Sequence, residues 1–317
     1  MAMTKAMIFP GQGSQKVGMG SELAAAFPEA KEIFQAVDDA LSQNLSKLIF
    51  SGEQSDLDMT ANTQPAIMAT SLAAWAVLQK QGGAAFPQFT YAAGHSLGEY
   101  SALAAVETFT LADTARLLRT RGDAMQSAVP VGMGAMAALL GADLDPALDI
   151  CMTAQEDQIL TVANDNSSGQ VVISGHKEAV DRAIVLAQER GIKRAVLLPV
   201  SAPFHCPLMA PAADVMSDAL GRVNMRVPQL PIIANVTADV VADPKVIRTR
   251  LVEQVTGMVR WRESVDFMAR KGITTMLELG PGKVLNGLVK RIAPDVVVHS
   301  VGTPADIEAY LNSRAVA

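Results

Sequence analysis

Gly94-His95-Ser96-Leu97-Gly98 sets a serine between two glycines in the form Gly-x-Ser-x-Gly. A serine hydroxyl can carry an acyl group as an ester once a base takes its proton and hydrogen-bond donors hold the oxyanion. The base must come from four histidines, His95, His176, His205 and His299. As the chain neighbour of Ser96, His95 is expected to point away from the nucleophile and to orient or pack the turn. His176 reads as a solvated helix cap and His299 as a structural residue of a late strand. His205 lies between Pro203 and Pro207, whose rings hold the loop in a defined shape, and it is the candidate base. Serine hydrolases add an acid that orients the histidine. Asp165 and Asp181 both fall in what reads as a separate subdomain, so no Asp stands out. A backbone carbonyl can do the same tautomer-fixing work.

A third group is Arg121. The apolar stripe of residues 111–129 runs through Leu111, Ala115, Leu118, Gly122 and Met125. On the helical wheel Arg116 lies about 160° from Leu118 and faces solvent, and Arg119 sits on the flank at roughly 100°. Arg121 falls within about 60° of both Leu118 and Met125, at the edge of the buried stripe. A guanidinium there needs an anionic or hydrogen-bonding partner. That partner is either a structural ion pair or a substrate carboxylate, which the planar fork binds through two bonds.

The elements that must position these groups can be read from periodicity. Residues 89–91 read as a strand, and apolar positions recur at helical spacing after Ser96. A serine at a strand-to-helix junction is a nucleophile elbow, with its hydroxyl raised above the end of the sheet and helical N–H groups aimed at it. Residues 5–9 form a first strand that runs into Phe9-Pro10-Gly11-Gln12-Gly13-Ser14-Gln15, a loop able to bring N–H groups close to a ligand. Helices are expected over 29–41 and 64–81, the second apolar nearly all round and therefore buried.

From Gly132 the pattern becomes strand 134–140, helix 144–154, strand 159–164, a turn-rich loop 165–169, strand 170–174, helix 177–190 and strand 194–200. That β-α-β-β-α-β order predicts a ferredoxin-like α+β subdomain over 129–198, inserted into an α/β domain of residues 1–128 plus 199–317. The large domain reads as a mostly parallel sheet covered by helices, a hydrolase-like core. Further strands fall at 232–235, 276–279 and 296–301. Helices start at 208 and 246 and cover 262–269. The loops at Gly11, Ser96 and Gly280 all follow strands, so they are expected to converge on one cleft.

The 317 residues are half hydrophobic and only 18% charged, which suits a large folded core. A net charge of −6 argues against a general nucleic-acid binder. No apolar run is long enough for a membrane span, no signal-peptide core follows Met1, and no Cys/His spacing suits a metal. Two cysteines, Cys151 and Cys206, make no disulfide framework, so the expected compartment is the cytoplasm.

The motifs together resemble the malonyl-CoA:acyl-carrier-protein transacylase family of fatty-acid synthesis, end to end, and more distantly the acyltransferase domains of polyketide synthases. The resemblance is carried by residues 9–15, residues 94–100, Arg121, Phe204-His205, Asn235-Val236-Thr237 and Gly280-Pro281-Gly282-Lys283-Val284-Leu285. It implies that Ser96 carries the acyl group and that His205 is general base, then general acid. His205 would be oriented by a backbone carbonyl near Gln254. The N–H groups of Gln12 and Leu97 would form the oxyanion hole, and Arg121 would hold the malonyl carboxylate. Phe204 is similar to the residue of malonyl-selective members. The implied partners are a coenzyme A thioester and acyl carrier protein, with no metal, no other cofactor, no nucleic acid, no membrane and a monomeric chain. Carrier proteins are acidic, so Arg116, Arg119, Lys283, Lys290 and Arg291 are candidate docking residues or merely solvated helix faces. The competing readings are a serine hydrolase or thioesterase, a polyketide-pathway acyltransferase, and a non-catalytic carrier-docking protein.

Overall fold

The computed structural model describes residues 4–83, 88–200 and 202–315; Met1, where no signal-peptide core is expected, lies outside them. The short apolar runs form a six-stranded sheet. Its spatial order is β10 (Val297–Val301), β9 (Ile273–Leu279), β1 (Thr4–Phe9), β2 (Tyr91–Gly94), β7 (Ile232–Ile233) and β8 (Val240–Val241). Every neighbouring pair is parallel except β7 with β8. Side chains alternate across β1. Met7 and Phe9 enter one hydrophobic core, and Ala6 and Ile8 enter another on the opposite face. The helix Thr60–Gly82 is buried nearly all round, as its composition requires.

A second sheet is antiparallel throughout, in the order β4 (Leu160–Ser167), β5 (Gln170–His176), β3 (Gly134–Leu140) and β6 (Arg194–Leu197). With the helices Leu144–Ala154 and Lys177–Glu189 it encloses its own core, including Leu139, Ile150, Val171, Ile173 and Val180. β4 is tied to the segment just before the helix Trp261–Arg270, where Asp165 N donates to Val259 O at 3.0 Å and Val259 N donates to Ala163 O at 2.8 Å.

Four local expectations need correction. The strand expected at 89–91 begins only at Tyr91 and continues through Ala92, Ala93 and Gly94, small residues that fit between helices on both faces. The loop expected over 165–169 shrinks to Ser168 and Gly169. β4 absorbs polar residues through register shifts at Val162/Asn164 and Asp165/Ser167. Asp165 then turns inward onto Arg262, with Nη2 2.8 Å from its carboxylate. His176 does stand at the N-cap of the helix Lys177–Glu189, but its side chain is not solvated: Nδ1 accepts from Ile159 N at 2.9 Å and so braces the start of β4 against β5. Finally, the chain from Pro207 makes one 3₁₀ turn, Pro207–Met209, before the helix Ala210–Arg222.

Candidate active site

Strand β2 ends at Gly94, paired with Phe9 at the end of β1, and the helix Gly98–Ala105 starts four residues later. The turn between them is severe. Ser96 has φ 53°, the left-handed region that a side chain adopts only when its surroundings enforce it. Both flanking glycines are required by space: a Cβ on Gly94 would lie 1.9 Å from Gly98 O, and one on Gly98 would lie 2.2 Å from Phe9 O. The backbone of Ser96 is pinned on both sides. Its N–H donates to Asn235 Oδ1 at 2.8 Å, and its carbonyl accepts from Gln254 Nε2 at 3.0 Å. Asn235 also donates from Nδ2 to Gly94 O at 2.7 Å, so this one side chain clamps the turn from both ends.

Ser96 Oγ lies 2.8 Å from His205 Nε2. His205 Nδ1 lies 2.8 Å from the backbone carbonyl of Gln254. A carbonyl can only accept, so Nδ1 carries the hydrogen and Nε2 is free to accept the serine proton. This is the tautomer that general-base chemistry needs, reached without an acid. Neither aspartate between the two residues in the chain orients the imidazole, since Asp165 pairs with Arg262 and Asp181 with Lys177. His205 itself has φ 58°, a second strained residue in the same site. Burial, and then the positive charge of Arg121, push its pKa down to about 3, so the resting imidazole is neutral.

Arg121 is only 1% exposed. It donates from Nη1 to Gln64 Oε1 at 2.8 Å and from Nη2 to Gln254 Oε1 at 2.9 Å, with a weaker bond from Nη2 to Ser96 Oγ at 3.2 Å. Its guanidinium also lies 5.7 Å from the ring centroid of Tyr100. No carboxylate is hydrogen-bonded to it among the described residues; Glu99 reaches it only through the Gln254 side chain. Two neutral amides hold it in place, one on each Nη, and the second hydrogen of Nη2 lies on Ser96 Oγ. Arg116 is largely exposed, and Arg119 is engaged by Asn62 and Gln43, as the helical wheel predicts.

These groups face a cleft of about 350 Å³. The large sheet's side supplies Gln12, Ser96, Leu97 and Arg121, and the smaller unit supplies Met136, Asn164 and Leu198. Phe204 closes one wall beside His205. The hydrogen bonds among the described residues leave the N–H groups of Gln12 and Leu97 uncommitted beside Ser96. The Gly280 loop does not line this cleft. It packs behind the Gly11 loop, with Gly280 against Pro10 and Ser71, and so supports the site from outside. His95 lines the cleft but turns its Nε2 to Asn166 Oδ1 at 2.8 Å and its ring toward Trp261, packing the turn as expected. His299 packs edge-on against Tyr310.

Sequence reasoning missed three members of the site. Gln64 and the side chain of Gln254 hold Arg121, and Glu99 lies beneath them, its Oε2 accepting from Gln254 Nε2 at 2.8 Å and from Asn235 N at 3.1 Å. Gln64 is one of several polar residues buried on the helix Thr60–Gly82, so its composition alone did not single it out.

Comparison with known proteins agrees with this geometry. The family described as acyl transferase domain matches residues 6–302. The malonyl CoA-acyl carrier protein transacylase of Salmonella typhimurium is 44% identical over 306 residues, 96% of this chain and 98% of the relative. The crystal structure of an acyl-carrier-protein-S-malonyltransferase from Bartonella henselae is 51% identical, with a TM-score of 0.96 over 99% of this chain and 100% of that one. A malonyl-transacylase solved in complex with its type II PKS acyl-carrier protein is 42% identical, with a TM-score of 0.95 over 98% of this chain and 99% of that one. The chain belongs to the acyl transferase domain family and, within it, to the malonyl CoA-acyl carrier protein transacylases.

Proposed function

We propose that this enzyme moves a malonyl group from coenzyme A to the phosphopantetheine thiol of acyl carrier protein, in fatty-acid synthesis, through an ester on Ser96. The observation that carries the reading is the pairing of a serine–histidine couple with a buried, amide-held guanidinium 3.2 Å from the same hydroxyl. A hydrolase has no reason to bury a cation beside its nucleophile. An acid with a free carboxylate gives that cation a partner.

The steps follow from the residues. The malonyl carboxylate takes the cleft-facing hydrogens of Arg121, including the one now on Ser96 Oγ, and so frees the nucleophile. It also cancels the charge that depresses His205, which becomes a better base as substrate arrives. His205 Nε2 takes the proton while Ser96 Oγ attacks the thioester carbon, and Gln12 and Leu97 N–H groups hold the oxyanion. The tetrahedral intermediate expels coenzyme A as its thiol, with the proton returned from His205. The carrier thiol then attacks the ester by the same steps. One thioester replaces another, so the exchange is reversible, and two half-reactions through one ester give ping-pong kinetics.

We also read residues 129–198 as an inserted ferredoxin-like subdomain within a domain of 1–128 plus 199–317. The order β4-β5-β3-β6, the antiparallel pairing and the separate core support this. A monomeric chain that needs no cofactor, metal, nucleic acid or membrane, working in the cytoplasm, completes the proposal. The two cysteines, free and buried, suit a reducing compartment. No described helix is long and apolar enough to cross a membrane.

The test is a panel of acyl-CoAs assayed with and without carrier protein, on wild type and Arg121→Ala. Wild type is expected to favour malonyl and to transfer rather than hydrolyse. Arg121→Ala should lose about 1.5–3 kcal/mol of transition-state binding for malonyl alone. Equal losses for acetyl and malonyl would reject the carboxylate role, and release of free malonate without carrier dependence would favour a hydrolase.

A further inference from the structure

Glu99 is buried in the first turn of the helix that follows Ser96, and the reaction above gives it nothing to do. Its position is central. Gln254 Nε2 and Asn235 N both donate to the single oxygen Oε2, at 2.8 and 3.1 Å. Those two residues are the ones that pin Ser96, and Gln254 also accepts from Arg121 through Oε1 and from His205 through its backbone carbonyl. One amide therefore stands between this carboxyl and the guanidinium. The second oxygen, Oε1, can carry a proton without disturbing either bond.

We infer that Glu99 is the titrating counter-charge of the carboxylate site, taking up a proton when the malonyl carboxylate docks on Arg121. The inference rests on Arg121 as the carboxylate holder. A buried site holding one guanidinium tolerates one carboxylate well and two poorly. With the cleft empty, Glu99 is the nearby anion that offsets Arg121. When the substrate carboxylate arrives at shorter range, the second negative charge is removed by protonating Glu99. The other titratable groups that face this pair are Tyr100 on the same helix, His205 across Gln254, and His95 beyond it. Burial holds the Tyr100 hydroxyl well above its usual range and His205 and His95 below theirs, so all three stay neutral near pH 7. Burial raises Glu99 to about 7, against the opposing pull of Gln254, Asn235 and Arg121, so it can respond there.

Glu99→Gln separates charge from geometry, because its amide oxygen can accept the same two bonds that Oε2 accepts. The experiment is calorimetric binding of malonyl-CoA and acetyl-CoA to the Ser96→Ala protein at pH 7, in buffers of different ionisation enthalpy. The coenzyme's own phosphates cancel in the comparison. Malonyl-CoA is expected to draw a fraction of a proton more than acetyl-CoA, and adding Glu99→Gln should abolish the excess. In steady state, KM for malonyl-CoA should rise ~3-fold or more from pH 6.5 to 8.5, with kcat following a separate course, and Glu99→Gln should flatten the rise. Equal proton counts for the two thioesters, with the malonyl preference intact, would overturn the role of Glu99 and leave Arg121 in place. Loss of the malonyl preference itself would overturn the carboxylate site and this inference with it. If Glu99→Gln does not fold, the proton count on Ser96→Ala alone decides.

Discussion

At the residue scale, three side chains share one proton and one charge. His205 is held as a neutral acceptor by Gln254 O, and its basicity is set by burial and by Arg121. His205→Ala should lower turnover by at least ~10²-fold, as measured in a malonyl-transfer assay. The pH profile carries the sharper information. Because the folded-state pKa lies near 3, well below the usual 6.5, kcat/KM with acetyl-CoA should stay high through pH 6.5 and fall only in more acid solution. Arg121→Ala removes the largest charge effect in the depression, so its acid limb should move up toward 6.5. Identical limbs at 6.5 in both proteins would refute this description of the base.

At the element scale, the site depends on β4 being fastened to the helix Trp261–Arg270. Asp165 is buried and takes Arg262 Nε and Nη2 together. Burial pushes the Asp165 carboxyl above the usual carboxylate range, and Arg262 opposes that rise. Arg262→Ala would leave a buried carboxylate short of donors, at a cost of about 1–3 kcal/mol. The sign of the pH dependence is fixed. With Arg262 gone, the folded-state pKa climbs further above the unfolded value, so stability is retained in acid and lost as pH rises through the folded-state pKa. Thermal unfolding should show a larger deficit at pH 7 than at pH 4.5, and a deficit independent of pH would contradict the pairing.

The same strand shows where sequence reading stopped. The asparagines and serines of residues 164–168 have turn composition, and only the bulged pairing with β5 makes most of them strand. β2 lies later in the chain than its residue types suggest, because Ala92 and Ala93 carry little strand preference; their place between two helix layers selects them instead. By contrast Ser96, His205 and Arg121 were legible. Glycine spacing, a proline-flanked histidine and a charge on a helix's apolar edge are local signals. Gln64, Glu99 and the side chain of Gln254 were not legible, since their meaning lies in contacts made across 57 and more residues of chain.

At the scale of the whole molecule, the cleft lies between a parallel sheet that supplies the nucleophile and a smaller antiparallel unit that supplies the opposite wall. The chain returning from that smaller unit carries Leu198, Pro199, Phe204 and His205 into the site, so both units must be in place before the base meets the serine. Lys283, Lys290 and Arg291 are all exposed on the helix Val284–Ile292 and its cap, and Arg291 also donates to Gln170 Oε1.

The chemistry reduces to one event, transfer of a negatively tailed acyl group onto Ser96 in the absence of any carrier. Incubating the protein with malonyl-CoA alone, quenching in acid and mapping peptides by mass spectrometry should find a single malonyl ester on the Ser96 peptide, removed when a carrier thiol is added before the quench. A peptide that stays unmodified, or an acyl group found on another residue, would contradict it.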